Sequence, residues 1–308
     1  MRAPAELLGR KTLERLERLT IRWSQSFEGR IGGDIVSRYP GVGHEFLDHR
    51  HFQPGDDLRA VNWRAFMRLE RMFLKLFRAE PRIPVRILID TSESMACGAP
   101  QEADSKFAFA CRLAAALCYV GLVRLETIVL QPFSQSLSES FAAHGGRLRY
   151  AQAARYISTL ETGGGTAFQK PIRDYLMKYR VPGLTFVLSD FLDPSGLDLP
   201  LDHLANEGHE VYLLHIAGPD DREPPWRGEL ELHDPESDEV LRVSLNDESA
   251  REYREAYDEF CRSLERHAQR SRAEYLHIST GEALEAVLFR QMSATSMTVG
   301  KAFDMRGV

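Results

Sequence analysis

The stretch ILIDTSESM, residues 87–95, sets an acid and two hydroxyls at alternate positions, Asp90, Ser92 and Ser94. The apolar run VRILID leads directly into them, so these side chains belong at the end of a buried strand. Three chemistries suit such a set: a carboxylate nucleophile for phosphoryl transfer, a cradle for a hard cation, and an ordinary turn in which Asp and Ser hold the backbone. Two more oxygen donors occur in comparable settings. Thr166 lies in the tight glycine loop TGGGTAF ahead of a helix, and Asp190 closes the apolar stretch LTFVLSD.

All five side chains offer hard oxygen atoms, which suits Mg²⁺ or Mn²⁺. Only Asp90 and Asp190 carry charge, so a divalent ion among them keeps much of its positive field. An Asp or Glu supplied by a partner or substrate is then the natural further ligand.

The elements that must position these residues follow from periodicity. Apolar, β-branched runs read as strands at 85–90, 125–133, 184–190, 209–216 and 273–280, and helical patterns fill the intervals between them. Strand–helix alternation of this kind implies a parallel sheet covered on both faces, with chemistry gathered at the carboxyl ends of the strands. Residues 45–52 and 71–80 read as a further pair of strands around the turn PGDD, with a short helical piece near Trp63. Residues 218–247 break the alternation with ELELH and EVLRVSL about a DPESDE turn, an inserted hairpin expected to pair or pack with the strands of 45–80. The organisation expected is a helix and β-rich segment over 1–80, a core over 81–217 and 248–295, the inserted hairpin at 218–247, and a tail at 296–308. Tyr253, Ala256, Tyr257, Phe260 and Leu264 mark the expected core face of a long late helix.

Composition narrows the function classes. With 308 residues, 43% hydrophobic and 27% charged, the chain can bury a core without metal or disulfide staples. A net charge of -6 argues against nucleic-acid binding through a globally basic surface. The four cysteines, Cys97, Cys111, Cys118 and Cys261, show neither a CxxC pair nor zinc spacing, as expected in a reducing compartment. No apolar run is expected to reach membrane-spanning length, and the charged start does not resemble a signal peptide. A cytoplasmic location is therefore expected.

The sequence DTSES, with the later GGGT loop and the strand-ending SD, resembles von Willebrand factor A domains and their metal-ion-dependent adhesion site. The resemblance implies that Asp90, Ser92 and Ser94 are first-loop ligands, Thr166 the second-loop ligand and Asp190 the third-loop acid. It covers about 84–217 and 274–290. The front segment, SRYPGVGHEFLDHRHFQPGDDLRAVNWRAF, resembles the bacterial domain-of-unknown-function family fifty-eight through Gly43, Glu45, Phe46, Arg50, Pro54, Gly55, Asp56, Asp57, Arg59, Trp63 and Arg64. Members of that family are commonly encoded beside MoxR-type AAA+ ATPases, which implies a co-chaperone or client-recruiting role. Many relatives begin with membrane-spanning segments, which are not expected in this chain, and Asn62 stands where relatives often carry Asp.

The expected fold is α/β: a von Willebrand A-like, Rossmann-like, mostly parallel sheet with helices on both faces and a small β-rich satellite. The expected function is non-enzymatic, metal-dependent protein binding, with a partner carboxylate as ligand and a MoxR-type ATPase as implied partner. The rival is a magnesium-dependent phosphatase or hydrolase using Asp90, but its usual second acid two residues on is replaced by Ser92, a poor proton donor. Neither a phosphate loop nor a GxSxG elbow occurs. His44, His49 and His51 lack a further partner at ligand spacing, and PGDD is too short for calcium.

Overall fold

Apolar β-branched runs flanked by helices leave few options for burial, and a covered parallel sheet is the one adopted. The computed structural model describes residues 7–17, 45–53, 61–78, 84–96, 105–123, 126–193, 195–236 and 239–288. The chain divides into two units, one of residues 1–24 with 83–308 and the other of residues 25–82.

In the smaller unit, β1 (Glu45–His51) pairs antiparallel with β2 (Phe73–Arg78), and α2 (Trp63–Leu69) lies between them in sequence. Asn62 caps α2 by accepting the Ala65 N–H at 3.3 Å, and its amide donates to His49 Nε2 at 2.8 Å. An Asp at this position would cap equally well but would have no amide to donate. His49 and His51 also pack against Phe73. His44, Gly43 and the PGDD turn with Arg59 lie outside the described residues.

The larger unit is built on β3 (Val85–Asp90), β4 (Thr127–Phe133), β5 (Phe141–His144), β6 (Leu184–Ser189), β7 (Glu210–Ala217) and β10 (Glu274–Ser279). Their spatial order is β10-β7-β6-β3-β4-β5, all parallel except the antiparallel edge strand β5. This doubly wound order reverses at β3, where the expected Asp90 site falls. Successive residues of β3 face opposite cores. Val85, Ile87 and Ile89 join one with α3 (Lys106–Val123) and α4 (Tyr150–Ile157), while Leu88 joins the other with α5 (Gln169–Lys178), α6 (Asp198–Asn206) and α7 (Asp247–Arg270). The α/β class, the mostly parallel sheet and helices on both faces are thus as the pattern predicts.

Three expectations are corrected. The helix α3 is long and apolar enough to cross a membrane by composition, contrary to what the sequence suggests. It is, however, 78% buried inside the protein, as a helix apolar all round must be at the centre of a core. The hairpin β8 (Gly228–His233) and β9 (Val240–Leu245) forms its own two-stranded sheet, so the pairing half of the expectation for it does not hold. In α7, Tyr253 is 42% exposed and Ala256 is exposed, and the buried positions are Ala250, Leu264 and Ala268. The helix covers the sheet edge through a narrower stripe than the aromatic pattern suggests. Its start is fixed by a reciprocal cap between Asn246 and Ser249.

Candidate metal centre

Asp90 is the last residue of β3, and the chain then turns through a 3₁₀ segment, Glu93–Ala96, that carries Ser94. Backbone bonds lock this turn to its neighbours. Thr91 N–H donates to Phe133 O at the end of β4 (2.8 Å), Gly163 N–H to Thr91 O (2.8 Å), and Glu93 N–H to Gly164 O (3.0 Å). The glycine loop is therefore stitched to the Asp90 turn, and Gly164 takes a positive φ of 79°, where a side chain is disfavoured.

The stitching brings hydroxyls together. Ser92 Oγ and Ser94 Oγ are 3.0 Å apart, and Ser94 Oγ and Thr166 Oγ1 are 3.4 Å apart. Asp90 is fully buried; its Oδ1 accepts the Ser92 N–H at 2.9 Å and its Oδ2 the Ser189 hydroxyl at 2.5 Å. Burial raises its pKa to about 6, the Ser189 bond lowers it in part, and the charge of Asp190 adds to the rise. Asp190 follows β6 and is 2% exposed. Its Oδ1 accepts Leu192 N–H at 3.3 Å, and Phe191 beside it holds a φ of 59°.

Two residues that the sequence does not single out complete the site. Lys106 opens α3 and is 5% exposed; its Nζ donates to Asp190 Oδ2 at 2.6 Å and lies 3.9 Å from Asp221 Oδ2. Glu236, in the β8–β9 turn, accepts from Thr166 N–H (2.7 Å), the Thr166 hydroxyl (2.7 Å) and Ser94 N–H (3.3 Å). The only hints in sequence are a lysine heading an otherwise apolar helix and an acid-rich turn, DPESDE.

The donor set fits a small hard cation. Bonds of about 2.0–2.1 Å in an octahedron put adjacent oxygens about 3 Å apart, near the hydroxyl spacings found here. Charge points the same way. Lys106 serves both Asp190 at 2.6 Å and Asp221 at 3.9 Å, so Asp90 and Glu236 add negative charge beside neutral hydroxyls that a divalent ion would offset. Asp90, Ser92, Ser94 and Thr166 are joined through this hydrogen-bond network, whereas Asp190 points one carboxylate oxygen at Lys106 and meets Asp90 through its field.

A second cluster lies across α7 and the strands β7 and β10. Ligand atoms of His215, Cys261 and His277 fall within 4.8 Å of one another. Tyrosine hydroxyls already engage both rings, Tyr275 at His215 Nδ1 (2.7 Å) and Tyr257 at His277 Nε2 (3.2 Å). Cysteine spacing alone gives no sign of this gathering, because the histidines come from other strands.

Comparison with known proteins places the chain. Uncharacterized proteins of Mycobacterium bovis and Mycobacterium tuberculosis are each 27% identical over 237 residues, covering 75% of this chain and 73% of the relative. Among solved structures, the conserved hypothetical protein BatB from Bacteroides thetaiotaomicron matches with a TM-score of 0.41 and 14% identity, over 70% of this chain and 98% of BatB. An aerotolerance-related membrane protein from Bacteroides fragilis gives 0.39 and 18% over 67% and 96% of the two chains. The SpRpn10 VWA domain gives 0.35 and 13% over 68% and 94%. The cytoplasmic expectation is withdrawn in view of these neighbours, since the Bacteroides fragilis structure and a further one from Vibrio fischeri are described as membrane or membrane-spanning proteins. The family described as "Protein of unknown function DUF58" matches residues 48–266, more than half of the chain, and the protein belongs to that family.

Proposed function

We propose that this protein is a metal-dependent protein-binding adaptor. Asp90, Ser92, Ser94, Thr166 and Asp190 would hold Mg²⁺ or Mn²⁺, which supplies a positive centre for a partner's Asp or Glu carboxylate. The observation that carries the reading is the hydroxyl cluster: oxygens of Ser92, Ser94 and Thr166 gather within 3.0 and 3.4 Å of their neighbours beside a buried carboxylate. A turn built only to hold the backbone has no need of three side-chain hydroxyls facing one another. The VWA-like fold suggests a role in protein interaction, and no enzymatic activity is indicated for the family. A MoxR-type AAA+ ATPase, or a client that it remodels, is the partner class that the family resemblance supports.

The chain's own residues divide the task. Ser189 and the Ser92 N–H fix the Asp90 carboxylate, the glycine loop fixes Thr166, and Lys106 holds Asp190. A ligand that binds only the native state raises stability by about 2.7 kcal/mol at a hundredfold excess over its Kd. Mg²⁺ should therefore raise the thermal midpoint of the wild-type chain but not of Asp90→Ala, and capture of the MoxR-type ATPase should fail in chelator. A midpoint indifferent to Mg²⁺ and Mn²⁺ would sink the reading. The phosphatase alternative predicts metal-dependent turnover of p-nitrophenyl phosphate that Asp90→Asn abolishes.

A further inference from the structure

The turn between β8 and β9 delivers one carboxylate to the hydroxyl cluster. Glu236 Oε2 accepts from Thr166 N–H at 2.7 Å, and Oε1 accepts from the Thr166 hydroxyl at 2.7 Å and from Ser94 N–H at 3.3 Å. These bonds span 70 and 142 residues of chain, so neither arises from local turn geometry. Gly165 leaves space for the approach, since a Cβ there would lie 3.4 Å from Glu236 Oε2 and 2.9 Å from Gln135 Nε2. The strands behind the turn are mostly exposed, and among the described residues they share a sheet only with each other, with the Ser249 hydroxyl of α7 donating to Ser244 O at 3.3 Å. A lone two-stranded ribbon is marginally stable in water, so its tip contacts weigh heavily in where it rests.

We propose that Glu236 is the site's resident ligand, supplied by the chain itself. It takes the coordination place that a partner's carboxylate would otherwise occupy, and a partner binds by displacing the hairpin tip. This rests on the metal-dependent function proposed above. The charge balance supports it, because Lys106 is already shared by Asp190 and Asp221, while Asp90 and Glu236 bond to neutral donors beside the hydroxyls. A tethered ligand acts at an effective concentration in the millimolar range or above. A simple monocarboxylate therefore competes poorly, whereas a protein that also grips the surrounding surface can win. The partner's apparent affinity falls by the fraction of time that the tip is released.

Mn²⁺, which relaxes water protons according to how many waters it holds, tests this directly in the 308-residue chain. Wild type should bind Mn²⁺ and show low relaxivity per bound ion. Glu236→Gln keeps an acceptor for Thr166 N–H but loses the charge. It should bind Mn²⁺ about tenfold more weakly, with higher relaxivity from an added water, and acetate at about 50 mM should lower that relaxivity in the variant but not in wild type. Equal affinity and relaxivity in the two chains, with Asp90→Ala still abolishing binding, would overturn the role of Glu236 alone. No Mn²⁺ binding in wild type would overturn the metal site and this proposal with it. His277→Ala controls for the His215–Cys261–His277 cluster: unchanged values support the assignment, and loss of binding there instead of in Asp90→Ala would overturn both.

Discussion

Both ends of the central sheet bury polar side chains, but they balance charge differently. At the amino ends of the strands, Arg86 is 3% exposed, donates to Val181 O at 2.8 Å, and sits over the rings of Tyr179 and Tyr175 at 5.0 and 6.0 Å. Neutral groups continue the chain of contacts, Tyr175 hydroxyl to Thr185 Oγ1 (2.8 Å) and Thr185 Oγ1 to His209 Nδ1 (3.2 Å). One cation is spread over aromatic faces, and its Nε and Nη1 are buried without a hydrogen-bond partner among the described residues. At the carboxyl ends, Lys106 pairs with Asp190 and lies near Asp221, while Asp90 and Glu236 accept from neutral donors. Both ends thus keep uncancelled charge, but of opposite sign, and among the described residues only the carboxyl end gathers several oxygen donors suited to a cation.

Removing the cation at each end should sharpen the contrast. Lys106→Met leaves Asp190 buried without its partner, which typically costs about 3–5 kcal/mol. Arg86→Met strands no anion and forfeits a carbonyl bond and ring contacts, about 1–2 kcal/mol. Urea unfolding in chelator should show that ordering, and Mg²⁺ should restore part of the loss in Lys106→Met alone. Similar losses at the two ends would erase the distinction. Asp90→Ala should act on binding and not on folding: Mg²⁺ affinity falls at least about a hundredfold, or about 2.7 kcal/mol, by calorimetry, while the metal-free chain unfolds no more easily.

Those tests concern residues that are unevenly visible in the sequence. VRILID and LTFVLSD announce buried strands, so the ends at Asp90 and Asp190 can be read directly. The glycine loop announces Thr166. Lys106 and Glu236 cannot be read, because their partners lie 84 and 70 residues away and no local period encodes such a meeting. The DPESDE turn is legible as a turn, while its destination is not. The edge strand Phe141–His144 escapes notice because its four residues include two alanines and no β-branched side chain, and its antiparallel pairing to β4 decides it. The helix α3 shows the limit of composition, since the same apolar run suits a membrane and a protein core, and only packing tells them apart.

The two ends should also respond oppositely to pH in the metal-free chain. Asp90 has its folded pKa raised from 3.8 to about 6, so its contribution to stability is full below the unfolded value and is lost as pH rises through about 6. His209 is lowered from 6.5 to about 4 by burial and by the Arg86 charge, so its contribution is present above 6.5 and is lost as pH falls through about 4. Each contribution is roughly 3 kcal/mol at most, because a tenfold change in proton affinity corresponds to about 1.4 kcal/mol. Asp90→Asn should remove the fall in thermal midpoint between about pH 4 and 6, and His209→Gln should remove a rise over nearly the same range. His215, pushed down to about 3 by burial, has the sign of His209 and is untouched in both variants, so differences from wild type isolate each end. Variants that move the profile in the same direction would contradict the assignment.

The smallest effect is the most specific. Tyr175→Phe keeps the ring under Arg86 and deletes only the hydroxyl that meets Thr185. A buried neutral hydrogen bond is worth about 1 kcal/mol, and Thr185 keeps His209 as a second partner, so the loss should stay near that figure. Mg²⁺ affinity should not move, because none of these groups is bonded to the carboxyl-end network. Urea unfolding read beside Mn²⁺ titration measures both quantities on one preparation. A weakened Mn²⁺ site in Tyr175→Phe would mean that the sheet couples its ends, and the amino-end network would then be part of the site instead of its structural counterpart.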